Sequence, residues 1–136
     1  MVVTGTHRCN LSPVRSVSYR DLHVWQQSMS LAVEANRLAH RVPTYEQYGL
    51  SNQLRRAAAS IPANIAEGHA RSHRREYLHH VSIARGSLAE LDSHLELALR
   101  REYLTAEEIA LAKNLADQVG RMLNRLYAAL RVVPSP

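Results

Sequence analysis

The chain has 136 residues, 46% of them apolar, and a formal net charge of +5. This length fits one domain with a core of useful size, and no apolar run approaches the roughly 18 residues of a membrane span. The N-terminus has no basic region followed by an apolar run, so we expect no signal peptide. Cys9 has no second cysteine to pair with, so we expect a cytoplasmic protein without an internal disulfide.

The positive charge is carried almost wholly by arginine, since only one of the 17 basic residues, Lys113, is a lysine. Guanidinium groups match the geometry of phosphate and stack on bases, so nucleic acid is one candidate partner class. The alternative is that the charge only keeps a small protein in solution.

The first elements in chain order are a tail and a helix. Residues 1–18 lack a sustained period and predict a flexible tail, with a mis-assigned start or a nucleic-acid-contacting arm as alternatives. The first helix is expected from Tyr19 or Arg20 to Arg41. It carries two apolar faces where one bundle core needs one, so the second face predicts contact with another subunit. That predicted oligomer interface contains Val24, Leu31 and Leu38.

The second helix is expected after Pro43, because Thr44 to Gln47 resembles a capping box. It should continue to about Gly68 as its terminator, with a bend or loosening near Pro62. Its apolar stripe consists of Leu50, Leu54, Ala57, Ala58, Ile61 and Ile65.

Two further helices complete the pattern. Ser72 could cap a third helix that runs to about Arg101, and Gly86 in its middle indicates the close approach of another backbone. Thr105 and Glu108 form a second capping box, which begins a fourth helix that runs to about Arg131. Four helices joined by short loops predict an all-α, antiparallel up-and-down four-helix bundle over residues 19–131, followed by a tail of residues 132–136.

A row of polar side chains lies beside the apolar stripe of the second helix. With two residues of the third helix it could form a hydrogen-bonded network that fixes one packing register. The alternative is contact with a ligand or RNA, and Glu67 could instead pair with Arg71 on the surface. The predicted network consists of Arg56, Ser60, Asn64, Glu67, Ser87 and Glu90.

A basic cluster lies around the loop between the second and third helices. Its arginines stand at a helix start, where the dipole disfavours cations, so they could serve to bind phosphate. The alternative is a solvated basic loop. The candidate nucleic-acid-binding residues are His69, Arg71, His73, Arg74 and Arg75.

Other chemistries have weaker support in the sequence. Glu76 and His79 have the spacing of one half of a di-iron motif, but the second half is missing, so we expect no metal and no cofactor. Cys9 has no recognisable histidine partner, and no phosphate-cradling loop or G-x-S-x-G motif is present, so we expect no enzyme. Trp25 with Tyr19 could stack on bases, although a core or interface position is the commoner role for such a Trp.

Four segments together resemble one family, the 23S ribosomal RNA intervening-sequence proteins. The segments are YRDLHVWQ from Tyr19, Tyr48-Gly49-Leu50, QLRRAAASIPANIAEG ending at Gly68, and ARGSLAEL from Ala84. The resemblance covers about Tyr19 to Leu130 and is most specific in SIPANIAEG. It implies an up-down-up-down bundle that assembles as a ring-like homopentamer in the bacterial cytoplasm, without catalytic residues. A related group, the accessory proteins of diversity-generating retroelements, binds nucleic acid through a basic pentameric surface.

From the sequence we therefore expect a non-enzymatic homo-oligomer that binds RNA or DNA through a repeated basic surface. The alternative is a protein-interaction scaffold that contacts no nucleic acid. Neither function requires a membrane.

Overall fold

The computed structural model describes residues 17–132, so the predicted tails, apart from Val17, Ser18 and Val132, lie outside the described residues. Four α-helices account for most of this part: α1 is His23–Ala39, α2 is Leu50–Ala70, α3 is Arg74–Arg100 and α4 is Ala106–Arg131. Short 3-10 helices at Tyr19–Asp21 and Thr44–Glu46 precede α1 and α2. No strand occurs within residues 17–132, and the prediction of an all-α fold with four helices is confirmed.

Each helix packs against the helices before and after it in the chain, and α1 also packs against α4. Polar contacts show the order of residues along these seams. Arg85 of α3 contacts Asn124 of α4, whereas Asp92, further along α3, contacts Lys113, earlier in α4. The core lies between the four helices and is built from Leu, Ile, Val and Ala, including Leu31, Leu38, Leu54, Ile61, Ile65, Val81, Leu91, Leu95, Val119 and Leu123.

The face of α1 predicted to meet another subunit is the inner face. Leu31 and Leu38 are 0% exposed and Val24 is buried, so their prediction as an oligomer interface is wrong. The reason is that α1 packs against both α2 and α4, and the stripe pointing between those two helices is the one that contains Leu31. The other stripe faces outward and leaves Val33 68% exposed and Met29 39% exposed.

Two glycines have roles other than those predicted. Gly68 does not end α2, which continues to Ala70; instead a Cβ at Gly68 would lie 2.8 Å from the Cβ of His80 and 2.9 Å from Cδ1 of Tyr77. Gly68 therefore allows α3 to approach α2 closely. At Gly86 a Cβ would meet nothing within 4 Å among the described residues of the chain, so no other helix of the bundle makes the predicted close approach there.

The helix boundaries agree with the expected capping only in part. Thr105 and Glu108 form the predicted capping box of α4. Thr44 lies in the 3-10 helix and caps no helix within residues 17–132. The first turn of α2 is capped instead by the Glu46 carboxylate, which accepts a hydrogen bond from the Leu50 amide at 3.2 Å. Residue His73, rather than Ser72, precedes α3.

Pro62 lies within α2, and the helix remains continuous from Leu50 to Ala70 on both sides of it. Among the helices of residues 17–132, none is long and apolar enough to cross a membrane.

Candidate nucleic-acid interface

The five residues of the predicted basic cluster lie together where α2 ends and α3 begins. Arg71, His73, Arg74 and Arg75 are exposed. His69 is half-buried, and its ring meets that of Tyr77 edge to face at a centroid distance of 5.8 Å. Burial of the Tyr77 side chain raises the pKa of its hydroxyl. His69 therefore packs against the bundle, whereas the other four residues face solvent.

Arg71 differs from the other arginines of this cluster because it has a carboxylate partner. Its Nη2 donates to Oε2 of Glu67 at 2.7 Å, one helical turn earlier. This hydrogen bond lowers the pKa of Glu67, and the nearby His80 lowers it further. The same pair raises the pKa of Arg71. Part of the positive charge at the loop is therefore already neutralised.

The C-terminal end of α4 lies beside the start of α3. Arg74 donates from Nη1 to the backbone carbonyl of Val132, and a shallow depression is lined by Arg74, Arg75, Leu78, Leu130 and Arg131. Arg131 is not among the predicted site residues, because it is far from Arg74 in the sequence. The signal that could have identified it is the predicted end of the fourth helix, since the topology predicted from the sequence would place that end beside the start of the third.

The arginines at this end differ in their charge pairing from several others on the bundle. Within residues 17–132, Arg74, Arg75 and Arg131 have no carboxylate within 4.0 Å. Six other basic side chains form ion pairs, which are Arg37–Glu34, Arg41–Glu108, Arg71–Glu67, Arg100–Glu96, Arg101–Glu46 and Lys113–Asp92. Within residues 17–132 the remaining arginines also have no such pair, but they do not line this depression; they are Arg20, Arg55, Arg56, Arg85, Arg121 and Arg125. Three positive charges without a carboxylate partner in the described part of the chain thus lie close together where α3 begins and α4 ends.

The predicted polar network exists in part, between α2 and α3. The hydroxyls of Ser60 and Ser87 are 2.8 Å apart, and Nδ2 of Asn64 donates to the Ser60 carbonyl and hydroxyl at 2.9 and 3.1 Å. His80, which was not predicted, places Nδ1 3.0 Å from Oδ1 of Asn64 and Nε2 3.8 Å from Glu67. Because Asn64 Nδ2 already donates to Ser60, its Oδ1 is the acceptor and His80 Nδ1 is the donor.

Arg56 and Glu90 do not take part in this network, contrary to the prediction. Both line a depression with Ser60 and Ser87, but within the described residues neither forms a hydrogen bond to them. Glu90 instead lies 3.6 Å from Nε2 of His94. Both side chains are long and lie exposed at the rim of this depression. They therefore remain in solvent while the two serines form the contact between the helices.

Trp25, the candidate for base stacking, packs within the bundle. Trp25 is partly buried against the core and meets Tyr19 edge to face at 5.2 Å, and the Arg20 guanidinium lies over both rings. Within residues 17–132 there is no group of three or more His, Cys, Asp or Glu side chains that could hold a metal ion. Cys9 lies outside the described residues.

Comparison with known proteins assigns the chain to a family. Residues 20–125 match the family described as 23S rRNA-intervening sequence protein. The chain belongs to this family. The resemblance expected from the SIPANIAEG and ARGSLAEL segments is therefore confirmed, and the match spans all of α1, α2 and α3 and most of α4.

A solved structure has the same fold. It is the crystal structure of a protein of unknown function from the S23 ribosomal protein family of Bacteroides thetaiotaomicron VPI-5482. The two chains are 28% identical and superpose with a TM-score of 0.70, over 76% of this chain and 97% of the other. No match is found among curated proteins.

Proposed function

We propose that this 23S rRNA-intervening sequence protein binds RNA or other nucleic acid, without catalysis, through the basic end formed by Arg71, Arg74, Arg75 and Arg131. The observation that carries the proposal is that Arg74, Arg75 and Arg131 line one depression and have no carboxylate partner within residues 17–132. Exposed guanidinium groups without an internal partner can donate to phosphate oxygens without first breaking an ion pair.

The proposal includes an antiparallel up-and-down bundle that assembles as a homo-oligomer, with the pentamer implied by family resemblance as the expected state. The pairing of Arg85 with Asn124 and of Asp92 with Lys113 supports the antiparallel order of α3 and α4. The outward stripe of α1, with Met29 and Val33 exposed, supports contact between copies, because exposed apolar rows often mark interfaces. In a ring of copies the basic end would repeat, and multivalency would strengthen a weak contact.

The test is salt-dependent binding of the full chain to labelled RNA. For a single strand, each phosphate that the protein neutralises adds about 0.7 to the steepness of log affinity against log salt. We expect Arg74→Glu with Arg75→Glu to weaken binding and reduce this slope. The matched control is Arg55→Glu with Arg56→Glu, which makes the same charge change on α2. Equal affinities of the two double variants would refute the proposed surface.

The alternative function is a protein-interaction scaffold, and a feature of the opposite end favours it. Tyr45 and Tyr48, in the connection between α1 and α2, are 77% and 89% exposed. Exposed tyrosines are enriched at protein interfaces because the ring offers a large contact area with one polar atom. Absent or salt-independent binding to RNA and DNA at low salt would favour this scaffold. The cytoplasmic location expected from the sequence remains a prediction.

A further inference from the structure

A groove between α3 and α4 lies next to the basic end, further along the bundle. Its lining includes Arg85, Gly86 and Asp92 on the α3 side and Asp117, Arg121 and Asn124 on the α4 side. Arg85 and Arg121 have no carboxylate within 4.0 Å in the described part of the chain. The groove therefore adds two arginines to those at its end, although two aspartates also line it.

The contacts of Arg85 hold its guanidinium over the groove wall. Its Nε donates to Oδ1 of Asn124 at 3.1 Å, and its Cζ lies 4.1 Å from the centroid of the Tyr127 ring. Arg131 contacts the same ring at 5.6 Å. Tyr127 thus lies between the basic end and the groove and contacts one guanidinium from each. Since Arg85 uses only Nε for hydrogen bonds to side chains or backbone of residues 17–132, both of its Nη groups remain able to donate to a phosphate.

We infer that one strand of RNA lies along this α3–α4 groove, with its phosphates on Arg75 and Arg131 at one end and on Arg85 and Arg121 further along. This inference rests on the proposed function and names its ligand and path. Arg75 and Arg85 are ten residues apart on α3, or about 15 Å at 1.5 Å per residue, so only a strand several nucleotides long contacts both.

The width of the groove selects a single strand over a duplex. Packed helices have their axes about 8–10 Å apart, which leaves a narrow concave surface between them. A duplex is too wide to enter, because base pairing holds its two backbones on opposite sides of the stacked bases. A Cβ at Gly86 would meet nothing within 4 Å, so the groove is open at the level of Arg85.

The proposed path of the RNA stops before the other end of the bundle, because carboxylates line the groove there. Asp92 is paired with Lys113 at 2.6 Å, and Asp117 lines the groove nearby. A phosphate placed there would be repelled by these carboxylates, because the nearby cation Lys113 is already paired with Asp92. The bound stretch is therefore expected to extend from Arg75 to about Arg121.

The experiment measures fluorescence anisotropy of a labelled 12-nucleotide single-stranded RNA at salt concentrations from about 50 to about 200 mM. We expect Arg85→Gln with Arg121→Gln to lower affinity about tenfold and to reduce the salt slope by about 1.4, which corresponds to the removal of two phosphate contacts. Arg55→Gln with Arg56→Gln, which has the same charge change on α2, is expected to retain the parent slope. Arg74→Gln with Arg75→Gln tests the proposed function separately.

A neutral variant gives a second measurement. Gly86→Leu adds a side chain in the open groove and favours the helix, so it should fold and still weaken binding without changing charge. If the Arg85/Arg121 and Gly86 variants bind like the parent while the Arg74/Arg75 variant does not, the groove inference is wrong and the proposed function stands. If the parent does not bind, or no variant differs from it, both are wrong. Equal competition by duplex RNA would overturn the single-strand assignment.

Discussion

Replacing Gly68 by alanine should destabilise the bundle, although alanine is the better helix former. The new Cβ would lie 2.8 Å from the His80 Cβ and 2.9 Å from Tyr77 Cδ1, closer than nonbonded carbons approach, and 3.3 Å from the Tyr77 carbonyl oxygen. Neither the His80 Cβ nor the Tyr77 carbonyl is the end of a flexible side chain. Local separation of α2 from α3 is therefore required, and overpacking of this kind costs about 1–3 kcal/mol.

Two smaller effects modify this cost. Replacing a glycine within a helix by alanine stabilises the folded state by about 1 kcal/mol. Displacing His80 weakens its 3.0 Å hydrogen bond to Asn64, and a typical internal hydrogen bond is worth about 0.5–1.5 kcal/mol. The net expectation for Gly68→Ala is a decrease of about 0.5–3.5 kcal/mol in the free energy of unfolding.

The chain offers a matched control in Gly86→Ala, on α3. A Cβ there meets nothing within 4 Å, so this variant should gain about 1 kcal/mol from helix propensity alone. Urea denaturation followed by circular dichroism measures both variants at one protein concentration, since self-association would shift the midpoint. A Gly68→Ala protein as stable as Gly86→Ala would show that α2 and α3 do not approach each other as closely as described.

Two further predictions concern α1 and the surface carboxylates. Leu31→Asp should unfold the chain, because it places a charge in the core. Val33→Asp, on the exposed face, should leave the circular dichroism spectrum of the helices unchanged and reduce any self-association measured by sedimentation. A Leu31→Asp protein that stays folded and only dissociates would contradict this assignment of the two faces. The pKa values of Glu46 and Glu108 are lowered from 4.5, chiefly by backbone amides of Leu50 and Thr105 respectively. Since folded-state values are the lower ones, stability present above about pH 4.5 should be lost as pH falls through them, and Glu108→Gln should flatten that dependence in urea titrations.

The sequence predicts the helices well because their signals are local. Apolar periodicity and the Thr105–Glu108 capping box depend on residues within a few positions of one another, and α3 and α4 end within a residue or two of the predicted bounds. The faces of α1 could not be assigned in this way. Both faces are apolar, and only the positions of α2 and α4 decide that Leu31 is buried while Val33 is exposed.

The sequence predicts the part of the candidate site whose residues are close together in the chain. It does not predict the part that folding assembles from distant residues. Arg71, Arg74 and Arg75 are close in the chain, so their clustering is visible in the sequence. Arg131 joins them only because α4 ends beside α3, as the contact of Arg74 with Val132 shows. His80 joins the polar network for the same kind of reason, since its partner Asn64 is on another helix. Periodicity gives the face of a helix but not which residue of a neighbour it meets.

The close packing of α2 and α3 also makes Arg71 different from Arg74 and Arg75, the other two arginines at the loop. Gly68 allows α3 to approach, which brings His80 to Asn64 and within 3.8 Å of Glu67. Glu67 in turn holds Arg71 at 2.7 Å, so a phosphate that used Arg71 would first have to displace this carboxylate. Arg75 has no such competitor within residues 17–132, and Arg74 contacts only a neutral carbonyl, that of Val132. Binding at this end should therefore depend on Arg74, Arg75 and Arg131 more than on Arg71, because only for Arg71 does a new contact cost an existing ion pair.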